Sequence, residues 1–234
     1  MIRPIPLLIL LCFFIGCNVA PRYNSLVESR LEGPVKKESI KTYYIDSLGT
    51  TTDSLLNSSV ITYSPEGWVK TIHFELNDES QYAHTYTYRW KNDSAEVSYL
   101  ETSHDSVINE MKGFRYWLDP HSYETRLYND NRLEETFTVK LNHDFNITVY
   151  ETMHYAKYGS RLYSTKSTSY YQDKSQRLPN LTVFKVYYDD SDGIKIDTLR
   201  QKVIETDKYG NVIKVSIDYN HQRRESRSTY EYYD

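Results

Sequence analysis

The side chains best suited to chemistry are scattered along this chain rather than grouped. Seven histidines occur, and none stands at an HExxH or comparable metal-ligand spacing. The acidic segment Asp189–Gly193 fails as a calcium loop, because the first and twelfth ligand positions would fall on Tyr188 and Leu199. The sequence has neither a glycine-rich phosphate loop nor a GxSxG nucleophile motif. We therefore predict no catalytic, cofactor-binding or metal-binding residue and no cofactor.

Acidic side chains leave one catalytic alternative open. Glycosidases use two carboxyl groups whose separation in space decides the mechanism, so spacing along the chain does not exclude them. Glu134 with Glu135, and the acids between residues 101 and 110, are the candidates. A glycan-active hydrolase is therefore kept as an alternative that requires two acids to face each other.

The N-terminus indicates export. Residues 1–17 read MIRPIPLLILLCFFIGC, with a basic Arg3 before the nine-residue apolar run Leu7–Ile15. A membrane-spanning helix needs roughly 20 apolar residues, so this run has the length of a signal-peptide core. Ile15-Gly16-Cys17 resembles the lipobox of bacterial lipoproteins, and the resemblance implies cleavage before Cys17 and acylation, including palmitate, at that residue. We predict a signal peptide over 1–16 and a membrane anchor at Cys17.

The segment after the anchor is short and polar. Residues 17–34 are predicted to form a tether with a short helix, in which Ser25 and Glu28 would make a capping box and Gly33-Pro34 would end it. No acidic run follows Cys17. In Bacteroidetes-type lipoproteins such a run directs transport to the cell surface. We therefore expect an envelope protein that faces the periplasm.

The rest of the chain has the pattern of strands and turns. Tyrosine occurs 24 times, and aromatic and β-branched side chains suit a pleated, half-buried surface. Alternating runs predict strands near 95–101, 107–110, 114–118 and 132–141, among others, and the short turns between them permit only antiparallel hairpins. We predict one β-repeat domain over 35–234.

Two stretches of this domain, 41–89 and 185–233, are near copies. Residues such as Tyr43-Tyr44 recur as Tyr187-Tyr188, and Thr85-Tyr86-x-Tyr88 recurs as Thr229-Tyr230-x-Tyr232. Asp207 to Val212, followed by Tyr230 to Asp234, resembles the YD-repeat (RHS-like) pattern. The resemblance implies stacked antiparallel hairpins and no activity. The predicted fold is all-β, an antiparallel β-meander of hairpin repeats that forms one continuous twisted or partly rolled sheet.

Five sites match the Asp-Ser/Thr-apolar pattern that Bacteroidetes-type periplasms use for O-glycosylation. Each match is equally explained by a turn followed by the start of a strand, so both interpretations stay open. The acceptor residues would be Ser47, Ser54, Ser94, Ser106 and Thr198.

Charge and composition limit the partners. The net charge is -4 and the charges are interspersed, which is unlike the basic face of a nucleic-acid binder. We expect a lipid-anchored, non-enzymatic binding or scaffolding module of the envelope, with a protein or glycan partner. A carrier that holds a lipid or another apolar ligand in a half-barrel is the first alternative.

Replacing the predicted anchor tests this interpretation of the N-terminus. Stable anchoring takes at least two acyl chains, each buried CH₂ contributing about 0.8 kcal/mol, and Cys17→Ser removes the residue that carries them. The Cys17→Ser protein should leave the membrane fraction on cell fractionation. Cys12→Ser, a matched change within the signal core, should leave anchoring intact. Membrane association and processing of Cys17→Ser identical to wild type would contradict the lipoprotein prediction.

Overall fold

The computed structural model describes residues 24–29, 31–155, 161–172, 178–188 and 194–234. The predicted signal peptide and Cys17 lie outside these ranges. The described residues form the one-turn helix α1 and fourteen strands. They are α1 (Ser25–Glu28), β1 (Val35–Ile45), β2 (Thr51–Tyr63), β3 (Val69–Leu76), β4 (Tyr82–Lys91), β5 (Ser94–Ser103), β6 (Ser106–Asp119), β7 (Ser122–Asn129), β8 (Arg132–Leu141), β9 (Ile147–Tyr155), β10 (Arg161–Tyr170), β11 (Leu181–Tyr188), β12 (Ile194–Thr206), β13 (Val212–Tyr219) and β14 (Gln222–Tyr232).

The strands close into a barrel. Each strand pairs antiparallel with the next one along the chain, and β1 pairs antiparallel with β14, from Val35 opposite Tyr232 to Tyr44 opposite Arg224. The prediction of a continuous twisted or partly rolled sheet is therefore wrong. Closure removes the unpaired backbone groups that both edge strands of an open sheet would expose.

The two near-copies are the first and last four strands, so they meet at this seam. Their β-turns are built alike. The Gly67 N–H donates to the Ser64 carbonyl and the Gly210 N–H to the Asp207 carbonyl, each over 2.9 Å. Both glycines have a φ above +80°, a conformation that side chains rarely adopt. The repeat therefore preserves strand and turn geometry.

Aromatic and aliphatic side chains line the inside of the barrel, and the outside carries polar side chains together with exposed apolar ones such as Phe114 and Ile196. Along β4, Tyr86 and Tyr88 face inward while Thr87 and Arg89 are exposed. The inward Tyr86 ring reaches Phe137 of β8, with ring centroids 6.2 Å apart. These two strands are four positions apart in the barrel, so side chains meet across a narrowed lumen.

The segment before β1 covers one end of the barrel, which we name the capped end. The Leu26 N–H donates to the Gly67 carbonyl at 3.1 Å, and the Val69 N–H donates to Ser25 Oγ at 3.0 Å. Farther along, the Glu32 N–H donates to Asn211 Oδ1 at 2.7 Å. The segment is thus fixed between the turns that precede β3 and β13. The opposite end, with the turns that follow β1, β5 and β13, is named the open end.

The helix is shorter than predicted and is capped differently. Asn24, rather than Ser25, is the N-cap, and its Oδ1 accepts from the Val27 N–H at 3.0 Å. The predicted capping box is wrong because Ser25 bonds to Val69, while Glu28 accepts a hydrogen bond from the Tyr123 hydroxyl at 2.5 Å. In the described ranges we find no α-helix with the length and apolar character that crossing a bilayer requires.

At Gly113 the backbones of β6 and β7 approach each other closely. A Cβ placed there would lie 1.7 Å from the Arg126 carbonyl oxygen and 2.7 Å from its carbon, both in the backbone of the adjacent strand. Only glycine therefore lets β6 approach β7 in this way.

Gly113→Ala should destabilise the protein by at least about 3 kcal/mol, the upper part of the range for over-packed sites, because the clash is with backbone. Urea unfolding measures the change. Gly49→Ala is the control: its Cβ meets open space, but its φ is +85°, so a loss of about 1–2 kcal/mol is expected. An unfolding free energy of Gly113→Ala equal to that of wild type would contradict the close approach of the two strands.

Candidate ligand-binding site in the barrel lumen

A cavity of about 410 Å³ lies in the lumen beneath the capping segment. Its wall is largely aliphatic and aromatic, with polar groups at a few positions. It is lined by Ser25, Glu28, Ser29, Ile61, Tyr63, Val69, Ile72, His84, Tyr86, Tyr88, Arg115, Tyr123, Thr125, Phe137, Val139, Ile147 and Tyr150. The volume and the composition are those of a small-molecule pocket. We call it the large cavity.

Arg115 is the cationic group of the large cavity. Its guanidinium carbon lies 4.8 Å from the Tyr88 ring centroid and 4.6 Å from that of Tyr123, so aromatic faces flank the charge. Its Nε donates to Thr125 Oγ1 at 3.0 Å and its NH2 nitrogen to the Tyr88 hydroxyl at 3.2 Å. These contacts fix the guanidinium against the wall.

Several acids of the hydrolase alternative have identified partners. Glu134 pairs with Arg132, and Glu135 Oε1 lies 2.8 Å from His154 Nδ1. The Tyr82 hydroxyl donates to Glu101, and burial together with this hydrogen bond raises the pKa of Tyr82 to about 12. Glu101 and Glu135 both lie close enough to Tyr82 and His84 to influence them electrostatically, but each is bonded to a different side chain, so no contact between two acids supports the hydrolase alternative.

Metal ligands are equally dispersed. Within the described ranges, no group of three or more His, Cys, Asp or Glu side chains is placed to hold a metal ion. His84 is stacked on Phe74, with ring centroids 5.0 Å apart, and burial lowers its pKa, which favours the neutral ring. It belongs to the aromatic wall of the large cavity.

A second lumenal cavity, of about 180 Å³, lies on the other side of the capping segment. We call it the small cavity. Ser29 lines both cavities, and the small one is completed by Leu31, Glu38, Ile40, Leu178, Gln201, Val212, Val215, Ile217, Ser226, Ser228 and Tyr230.

Glu38 is the notable group of the small cavity, because its side chain is only 8% exposed. Glu38 Oε1 lies 3.1 Å from the Tyr230 hydroxyl, and that hydroxyl lies 2.8 Å from the Val212 carbonyl oxygen. Burial raises the pKa of this carboxyl, against the opposing effect of hydrogen bonds from Tyr230 and Tyr63. The carboxyl is therefore held toward its neutral form.

Neither Glu38 nor Arg115 was predicted from the sequence. The sequence signal for both residues was a charged side chain on the strand face that otherwise points inward. Glu38 shares that face of β1 with Ile40 and Thr42, and Arg115 shares that face of β6 with Met111 and Gly113. A solitary charge within an apolar row is also typical of a strand that ends or turns at the surface. Only the pairing of the neighbouring strands shows which face is inside.

The predicted modification sites are all exposed, but the structure does not bring them together. Ser47 and Ser106 lie at the open end and Ser94 at the capped end, while Ser54 and Thr198 lie within β2 and β12. Glycosylation at these positions stays a prediction.

Comparisons with known proteins yield likeness of shape only. No protein-family profile matches the sequence, and the search of curated proteins found no match. The chain is similar to a porin-like protein from Bacteroides uniformis, at 12% identity over 84% of this chain and 96% of that chain, with a TM-score of 0.40. It is also similar to a beta-barrel-like protein of a domain of unknown function from Brucella abortus, at 12% identity over 86% of this chain and 99% of that chain, with a TM-score of 0.36. A third similar structure is a porin-like protein from Bacteroides vulgatus, at 11% identity over 86% of this chain and 99% of that chain, with a TM-score of 0.29. Likenesses of this size carry no inference about function.

The raised pKa of Glu38 predicts a specific pH dependence of stability. Protonation of the buried carboxyl favours the folded state, so its stabilising contribution is complete below the ordinary value of 4.5 and is lost as pH rises through the folded-state pKa. The free energy of unfolding of wild type, measured relative to Glu38→Gln by urea unfolding, should therefore decrease from about pH 4.5 upward, with a limiting slope of about 1.4 kcal/mol per pH unit. Because the two proteins share every other titrating group, parallel stability curves would contradict the assignment.

Proposed function

We propose that this protein is a lipid-anchored envelope protein that binds a small apolar ligand inside its barrel. The large cavity carries the proposal. Its volume of about 410 Å³ is roughly two to three times that of the apolar cavity, about 150 Å³, that holds benzene in an engineered protein. Ile61, Ile72, Val139 and Ile147 give the cavity the aliphatic surface that an apolar ligand would contact.

The outside of the barrel supports a position beside the membrane rather than within it. Charged side chains are exposed near the middle of several strands, among them Lys41, Lys112, Arg126 and Arg200. Barrels that span a membrane place an apolar band there instead, and Lys or Arg at mid-membrane costs about 2–4 kcal/mol each. This surface suits an aqueous compartment such as the periplasm.

The predicted anchor would orient the barrel. Asn24, where the described chain begins, lies at the capped end and is seven residues after Cys17. Seven extended residues span at most about 25 Å. A lipid on Cys17 would therefore hold the capped end toward the membrane and leave the open end facing away, where a ligand could enter.

A protein or glycan partner remains a separate prediction. The outer surface of β4 to β7 forms an open groove with both charges and an exposed aromatic ring, including Arg89, Glu96, Lys112 and Phe114. Carrying a ligand in the lumen and contacting a partner on this groove are compatible, because the two surfaces lie on opposite sides of the wall.

Binding of naphthalene, followed by its own fluorescence, tests the lumenal proposal. The protein is the mature-length chain with Cys17→Ser, which keeps all described residues and avoids lipid in the assay. This parent chain should bind naphthalene saturably. Adding Ile147→Trp, which fills the large cavity, should lower the affinity for naphthalene at least tenfold.

Ile196→Trp is the matched control, because Ile196 is exposed on the outer face and the same exchange there leaves the cavity open. It should bind naphthalene like the parent chain. Equal affinity of Ile147→Trp and the parent, with both folded by circular dichroism, would contradict binding in the large cavity.

A further inference from the structure

The small cavity has an electrostatic character that differs from that of the large one. Among its lining residues Glu38 is the acid, and the others are aliphatic, hydroxyl or amide side chains together with the Tyr230 phenol. In the described part of the chain, no lysine, arginine or histidine pairs with Glu38. The large cavity, in contrast, is lined by a cation and an acid, Arg115 and Glu28.

The protein supplies only part of the interactions that the buried Glu38 carboxyl can make. Its Oε1 shares the Tyr230 hydroxyl with the Val212 carbonyl oxygen. A carbonyl oxygen accepts but cannot donate, so the Tyr230 proton is best directed to Val212, and a protonated Glu38 then donates to Tyr230. Ionised Glu38 would retain hydrogen bonds from the neutral Tyr230 and Tyr63 hydroxyls at most, so a cationic hydrogen-bond donor in the cavity would give the buried carboxylate the charged partner that the described residues do not provide.

The surroundings of Glu38 specify what that donor can be. Aliphatic side chains from the capping segment, from β1 and from β13, namely Leu31, Ile40 and Ile217, form the rest of the wall. A ligand must therefore present hydrogen-bond donors at one end and apolar surface elsewhere. Its volume must suit about 180 Å³, slightly more than the cavity of about 150 Å³ that holds benzene.

We propose that the small cavity is a second binding site, which takes a small amphipathic primary amine with its ammonium against Glu38 and its hydrocarbon part against Leu31, Ile40 and Ile217. The ammonium donates to the Glu38 carboxylate, and Tyr230 keeps its bond to Val212. An amine that enters as ammonium displaces the Glu38 proton to solvent, and one that enters neutral accepts that proton. This inference extends the proposed function, since it uses the same lumen, but it concerns a different cavity.

The test compares n-pentylamine with n-pentanol by isothermal titration calorimetry at pH 7, on the mature-length Cys17→Ser chain. The two probes have the same number of heavy atoms, six, as benzene. Pentylamine should bind saturably and at least tenfold more tightly than pentanol. Equal affinities, or no binding of pentylamine, would overturn the proposal without recourse to any variant.

Variants then locate the site. Glu38→Gln should lose at least tenfold in pentylamine affinity and little in pentanol affinity. Glu135→Gln removes another lumenal carboxyl and should leave pentylamine binding unchanged. Retention of full pentylamine affinity by folded Glu38→Gln would overturn the assignment to the small cavity.

Ile147→Trp separates this proposal from the proposed function. It blocks the large cavity and should bind pentylamine normally. If naphthalene fails to bind the parent chain while pentylamine binds through Glu38, the apolar-ligand proposal fails alone. If naphthalene binds and pentylamine does not, the amine site fails alone.

Discussion

The pairing of β1 with β14 is the contact on which the rest of the structure depends. It joins residues as far apart in the sequence as Lys37 and Glu231, whose side chains are 2.9 Å apart across the seam. That exposed ion pair contributes little by itself, and the backbone ladder holds the two strands together. Because the ladder closes the sheet, the inside becomes a lumen with two ends. Both cavities, the capping segment and the buried Glu38 exist only in that closed form.

Closure by fourteen strands encloses more space than the inward side chains fill. The contact of Tyr86 with Phe137 across the lumen reduces this space locally. The capping segment then divides what is left, since Ser29 borders both cavities. One compartment contains a guanidinium fixed by tyrosine rings, and the other a carboxyl held toward its neutral form. The lumen thus contains two cavities of different electrical character, one lined by both Arg115 and Glu28 and the other by Glu38 as its charged group.

Local features of the fold could be predicted from the sequence, and contacts between distant residues could not. The alternation that predicted a strand over 132–141 is the alternation of β8, because a pleated strand with one inner face imposes a period of two. Separate strands near 107–110 and 114–118 are one strand, β6, because its pairing with β5 and β7 continues through Gly113. Closure was missed because no local pattern records which strand pairs with β1. Glu38 was missed for the same reason, as its burial depends on β14.

The seam also sets the order in which the molecule can form. Residues paired across it are separated by nearly the whole domain, so this ladder cannot form before β14 has been made and, in an exported protein, has crossed the membrane. Non-local pairing of this kind slows folding, and unpaired edge strands are prone to aggregation in the meantime. The capping segment can bond to the turn before β3 once the first part of the chain is made, but its bond to Asn211 requires nearly the whole chain. A lipid on Cys17 would keep each incomplete chain at the membrane surface during that interval, so the anchor would serve as an attachment for folding as well as for function.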